Sequence, residues 1–154
     1  MIMPSTVNRV PSQTADHVNE SIRQQTVERV SQYRSAGRRT IDQRLAELDQ
    51  EWDIERTLEA NAATASLVGL ALGATVNRKW FLFPAVVAGF LLQHAIQGWC
   101  PPLPIFRRLG VRTQSEIDYE RYALKVLRGD FRKIAPAKGR NAANGKAIVD
   151  AVRQ

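Results

Sequence analysis

The sequence predicts an all-α fold: an integral membrane two-helix antiparallel hairpin flanked by amphipathic cytoplasmic helices. Three observations carry the prediction. From Ala62 to Trp99 the only full charges are Arg78 and Lys79, while both flanks are dense in Arg, Asp and Glu; such segregation marks a membrane segment between wet arms more than a globular core. Trp80 and Trp99 stand 19 residues apart, roughly 28 Å along a helix and close to a hydrocarbon thickness of about 30 Å. Only Asn77, Arg78 and Lys79 separate the two apolar runs, so the helices on either side must be antiparallel neighbours.

The 154 residues divide on this reading into a polar N-terminal arm (1–57), a hairpin (58–100, spans about 58–76 and 80–99) and a basic C-terminal arm (101–154). Residues 1–13 carry Pro4 and Pro11 and read as flexible. A helix is expected from Thr14 to Ser35, with Val18, Ile22, Val27 and Val30 as a thin apolar stripe, and Gly37 interrupts it. A second begins near Thr40; Ile41, Leu45, Leu48 and Trp52 form an a/d-type seam. That seam suits either a short coiled coil or a face laid on the hairpin or on lipid headgroups, and the same helix is expected to run on into the first span.

The first span offers Leu67, Val68, Leu70, Leu72 and Val76, roughly −1.5 to −3 kcal/mol of insertion free energy, opposed by Asn61, Thr64 and Ser66. The second offers Phe81, Leu82, Phe83, Val86, Val87, Phe90, Leu91, Leu92 and Ile96, roughly −3 to −5 kcal/mol, with Pro84 tolerable near its first turn. Trp80 and Trp99 would anchor it at the two interfaces. Beyond Cys100, Pro101-Pro102-Leu103-Pro104 stops the helix. Thr113-Gln114-Ser115-Glu116 reads as a capping box, opening a helix to Arg128 that Gly129 ends. Arg121, Lys125 and Arg128 lie on that helix among apolar residues, suiting an interfacial helix with snorkelling side chains. The tail from Ile134 reads as loose.

Charge sets orientation. Arg38, Arg39, Arg44 and Arg56 precede the first span and Arg107, Arg108 and Arg112 follow the second, against Arg78 and Lys79 in the turn. Both termini are therefore expected in the cytoplasm, as in a multi-pass inner-membrane protein. Residues 101–154 carry 12 Lys/Arg against 5 Asp/Glu; with no zinc spacing or aromatic RNA-binding strand, anionic lipid is the simpler partner and nucleic acid is not expected.

Small residues recur in the first span at Ala65, Gly69 and Gly73, and in the second at Ala85 and Gly89. Such steps let helix backbones approach, either span to span or between two copies in a homodimer. Gln93, His94 and Gln97 are the polar residues of the second span; near a helix end they either bond a neighbouring helix or headgroups, or mark a site. Cys100, the single cysteine, excludes an internal disulfide and a thiolate zinc cluster. It reads as a small buried hydrophobe, or as a thiol acidified by Arg107 and Arg108 and suited to sulfur or redox transfer.

The central residues also resemble a family. Glu55-Arg56, Gly69-x-x-Leu72-Gly73-x-Thr75-Val76, Gly89 and Gly98-Trp99-Cys100, spread over about 55 residues from Ile54 to near Leu109, are similar to the YgaP-type transmembrane domain. That resemblance implies a two-helix inner-membrane module of largely unassigned function, able to dimerise, with cytoplasmic termini and in some members a preceding rhodanese domain. Here no second cysteine exists to build a sulfurtransferase loop, so sulfur chemistry would need a separate sulfurtransferase. The expectation is a non-enzymatic accessory or scaffold protein without cofactor or metal, anchoring a membrane or cytoplasmic protein partner. A thiol relay at Cys100 and a soluble bundle with the hairpin as its core are the alternatives.

Overall fold

The computed structural model describes residues 5–133, and within them every regular element is helical. Six α-helices follow in order: α1 (Asp16–Gln32), α2 (Arg38–Gln50), α3 (Ile54–Thr75), α4 (Leu82–Gln97), α5 (Leu103–Arg108) and α6 (Gln114–Arg128), with short 3₁₀ turns at Pro11–Gln13, Arg78–Phe81 and Asp130–Lys133. The expected loose tail from Ile134 and the first four residues lie outside the described range. The chain forms two compact units, one built from residues up to Gln25 with Glu51–Ile117, the other from Thr26–Gln50 with the residues from Asp118 on.

The first unit holds the hairpin. α3 is not the continuation of α2: Glu51, Trp52 and Asp53 break the chain, and Asp53 caps a new helix by accepting from the Arg56 N–H at 2.9 Å. The Ile54 N–H finds the Arg112 carbonyl at 2.8 Å, so two of the amides that a helix start leaves open are satisfied. The expected boundary at 57/58 thus falls inside α3. Asn77 closes the turn by accepting from the Lys79 N–H at 2.9 Å. Glu55 meets His94, Gly69 lies against Phe83 and Pro84, and Gly73 against Phe81; as the α3 number rises the partner's falls, which is an antiparallel pairing.

The hairpin is not the core of a bundle. Leu67, Val68, Leu70, Leu82, Val86 and Leu92 are all exposed, which removes the soluble-bundle alternative in its stated form. Among the described residues one helical stretch, Arg78–Gln97, is long and apolar enough to cross a membrane, and hardly any of it is buried within the protein. α3 by itself is not, with Asn61, Thr64 and Ser66 diluting its leucines and valines.

Below the hairpin, Val10, Ile54, Leu58, Cys100 and Leu103 form the buried core, with Trp99, Phe106 and Val111 packed against it. Residues 5–13 are therefore not free: they make turns, Val10 enters the core, and the Arg9 carbonyl lies against Gly98. A Cβ on Gly98 would come within 2.3 Å of that oxygen, and its φ of +81° already requires the left-handed region that glycine adopts.

The second unit is held by charge as much as by apolar packing. Ile41, Leu45 and Leu48 of α2 and Leu124 of α6 are buried. Glu120, fully buried, receives Arg44 at 2.8 Å and Arg29 at 3.1 Å. Arg128 pairs with Asp42 and Asp130, and Arg121 with Asp49 and Asp118. Two expectations are corrected here. The α2 seam is buried in protein at Ile41, Leu45 and Leu48 rather than laid on headgroups, while Trp52, its fourth expected member, lies beyond α2 and is exposed. The basic residues of α6 do not snorkel, because carboxylates within the unit hold Arg121 and Arg128 and Lys125 is buried. The capping box is present as read: the Thr113 N–H donates to Glu116 at 2.7 Å and the Glu116 N–H to Thr113 at 3.3 Å.

Candidate functional site

The antiparallel pairing brings the end of α4 beside the start of α3, and there three reactive side chains meet. His94, 2% exposed, places Nε2 2.9 Å from Glu55 Oε2. The other carboxylate oxygen accepts from Arg9 at 2.8 Å, and the same guanidinium donates to the Ala95 carbonyl at 2.7 Å. Arg9 therefore ties the N-terminal segment to both helices at once. Both oxygens of the half-buried Glu55 carboxylate are thus engaged, one by His94 and one by Arg9. The second ring nitrogen, His94 Nδ1, is buried without a partner, and the ring interacts with the side chain of Cys100.

Cys100 is 4% exposed. It belongs to the core, and it also lines a groove of about 430 Å³ between α3, α4 and the start of α5. Apart from the thiol, Asn61 is the only polar side chain on that lining. A thiol, an imidazole and a carboxylate in this order are the parts of a nucleophile, its base and the group that orients the base.

The other expected residues fall into place unevenly. Gly69 and Gly73 are at the helix contact, but their neighbours are not Ala85 and Gly89. A Cβ on Gly69 would lie 2.8 Å from Phe83 and 2.9 Å from Pro84, and one on Gly73 2.7 Å from Phe81. Ring edges, not a second small step, fill the groove that the glycines leave. Ala85 and Gly89 face away and are exposed, and Ala65 lines the apolar groove. The Gly69–Gly73 groove is thus occupied within the chain by Phe81, Phe83 and Pro84. Trp80 is exposed in the turn, edge-on to Phe83 at 6.2 Å, whereas Trp99 packs partly onto the core. Gln97 is exposed and Gln93 half-buried.

Arg107 does not serve Cys100. It is buried with all five N–H groups used: two on Glu116 at 2.7 Å each, and one each on Thr14, Asn19 and the Val111 carbonyl. Arg112 is likewise forked onto Glu51 at 2.6–2.7 Å. The neighbour that matters to the thiol is His94.

Sequence reasoning missed Arg9 and Glu55 as parts of the site. For Glu55 the signal was the hairpin register: a turn at Asn77 sets the last turn of α4 against the first turns of α3, where Glu55 and Glu59 are the available carboxylates; for Arg9 the sequence carries none. No protein family matches the chain, and neither a curated protein nor a solved structure does so. Among the described residues no cluster of three His, Cys, Asp or Glu side chains is arranged to hold a metal.

Proposed function

We propose that this chain is an integral inner-membrane protein of accessory or scaffold type, with α3 and α4 in the bilayer and both arms in the cytoplasm, where they anchor or assemble a protein partner. One observation carries the proposal: the helix that is apolar on every side leaves those sides exposed. A helix hydrophobic all round is at rest in a protein interior or in lipid, and the interior is not used. α3 is the weaker span and rides on α4 through the glycine contact. The positive-inside count supports the orientation in reduced form. Arg44, Arg107 and Arg112 are spent in ion pairs, but Arg38, Arg39, Arg56 and Arg108 remain exposed, against Arg78 and Lys79 in the turn. The likeness to the YgaP-type hairpin belongs to the same proposal. Carbonate washing tests it: the chain stays with the membrane, and release into the soluble fraction refutes the anchor. Reporter fusions in the 77–79 turn and at Gln154 test the orientation.

A second reading is favoured by the Glu55–His94–Cys100 contact: a thiol relay working with a separate sulfurtransferase. The two readings order two variants oppositely. For an anchor, Gly69→Leu is the more damaging, because the new side chain meets Phe83 and Pro84, an overpacking cost of about 1–3 kcal/mol. For a relay, Cys100→Ser is the more damaging, since a hydroxyl replaces the thiolate nucleophile. Abundance and co-purification with the partner, measured beside the deletion phenotype, decide between them.

A further inference from the structure

We infer that Cys100 is an acyl-accepting nucleophile, taking a long-chain acyl group from an acyl thioester whose chain lies in the groove between α3 and α4. The inference rests on the proposed bilayer placement of the hairpin and deepens the thiol reading by naming a substrate class. Its first support is His94: a buried imidazole, held from one side by Glu55 at 2.9 Å, whose other nitrogen has no partner and whose ring interacts with Cys100. A histidine placed only for packing needs no such carboxylate anchor, and the thiol is the group that its remaining nitrogen has within reach. Its second support is the lining. Leu58, Ala65, Phe83, Val87, Leu91 and Ile105 make an almost wholly apolar trough whose lining includes Cys100.

That lining selects among thiol reagents. A charged sulfur donor would have to give up its hydration to approach along such a trough, whereas an alkyl chain is stabilised by every methylene it places there. The lining on α4 runs from Phe83 to Leu91, about 12 Å of helix, so the groove accommodates a chain and not merely a headgroup. With the chain seated, the acyl carbonyl lies at the open end of the trough beside the thiol.

The step balances without an oxidant. His94 takes the proton of the Cys100 thiol, and the sulfur attacks the thioester carbonyl. The bond to the donor's sulfur breaks, and His94 returns the proton to the departing thiol. One thioester is exchanged for another, with Glu55 holding the imidazole through the transfer and Arg9 holding Glu55. The product is a chain carrying a covalent lipid at the end of α4.

The test is incubation of the purified full-length protein in mild detergent with palmitoyl-coenzyme A, followed by intact mass and hydroxylamine treatment. The expected result is one hydroxylamine-labile palmitoyl group, absent from Cys100→Ser and formed about 100-fold more slowly in His94→Gln, in the range that a positioned general base supplies. Ala65→Phe leaves Cys100, His94 and Glu55 in place and narrows the trough, so it shifts preference from palmitoyl- to octanoyl-coenzyme A. Where circular dichroism shows that His94→Gln has not folded, the chain-length shift decides. Four results overturn the inference: no adduct on the folded wild-type chain, an adduct formed equally fast in folded His94→Gln, an unchanged chain-length preference in Ala65→Phe, or transfer of a single sulfur atom from a persulfide donor in place of an acyl group. Failure of the bilayer reading shows itself separately, as release of the chain by carbonate.

Discussion

α4 and α6 are nearly equal in length and dispose of their surfaces in opposite ways. α6 is two-faced. Ile117 and Leu124 are buried, Tyr119 and Val126 are exposed, and the charged Glu120 sits inside between two arginines. α4 is apolar from Leu82 to Leu92, and the one side chain it buries is the polar His94 of its last turns. One helix hides its apolar residues in protein; the other turns them outward and gives the interior its imidazole. The difference teaches where each helix finds its stabilisation: α6 from neighbours in its own chain and α4, on the function proposed above, from lipid.

The comparison breaks first if its protein-stabilised side does not depend on buried ion pairs. Arg107→Ala leaves the half-buried Glu116 opposite a void, and removing one partner of a buried pair costs about 3–5 kcal/mol. Thermal or denaturant unfolding of the detergent-solubilised chain measures it, and a change within error would show that the five hydrogen bonds of Arg107 are not what holds that corner. On the side proposed to face lipid, Val86→Arg places a charge on an exposed position near the middle of the Arg78–Gln97 stretch. Insertion falls by about 2.5–3.5 kcal/mol on the translocon scale. A glycosylation-mapping insertion assay reads the loss, and an unaffected yield in the membrane would mean that α4 does not face lipid there.

Acidity sharpens the contrast, because the protein-stabilised side titrates. The Glu116 carboxyl is opposed by burial but held below its ordinary value of 4.5 by Arg107 and by the N–H and hydroxyl of Thr113. A depressed carboxyl contributes stability that is complete above the ordinary value and drains away as pH falls through the lower folded-state one. The expected outcome is a melting temperature steady near neutrality and falling below about pH 4.5, with Glu116→Gln flattening that part of the profile. The smallest effect is at the cap: Thr113→Ala removes the side-chain half of the box at the start of α6, a loss of about 1 kcal/mol visible as a modest drop in the same melting curve.

What was legible in the sequence was whatever is written locally. The capping box at Thr113–Glu116, the stop at Gly129, the break at Gly37 and the turn at Asn77 each depend on neighbours within a few residues, and each stands where the sequence puts it. The α2 seam at Ile41, Leu45 and Leu48 was legible as a buried face, but not what would cover it. The rest was written at long range. Arg9 reaches Ala95 across 86 residues and Arg107 reaches Thr14 across 93, and no periodicity reports such a pairing. The same holds for the site: His94 and Cys100 were visible as a polar residue and a thiol, and only the antiparallel register joined them to Glu55. Counting arginines as free positive charge failed for a related reason, since Arg107 and Arg112 look like headgroup ligands until Glu116 and Glu51 are seen to hold them.

The contact between Arg9 and the last turn of α4 also fixes an order of events in time. Residue 9 is made early and waits for Ala95 and Gly98; at ribosomal rates of about 5–20 residues per second, the 86 residues to Ala95 take roughly 4–17 s to synthesise. Until the end of that interval Glu55 has no histidine, and Val10 lacks Cys100 and Leu103 of the core it enters. The N-terminal clasp therefore closes last, after both hairpin helices exist. The earlier-made segment thus acts as a latch that certifies a finished hairpin, and a nascent chain stalled before Gly98 would leave it open.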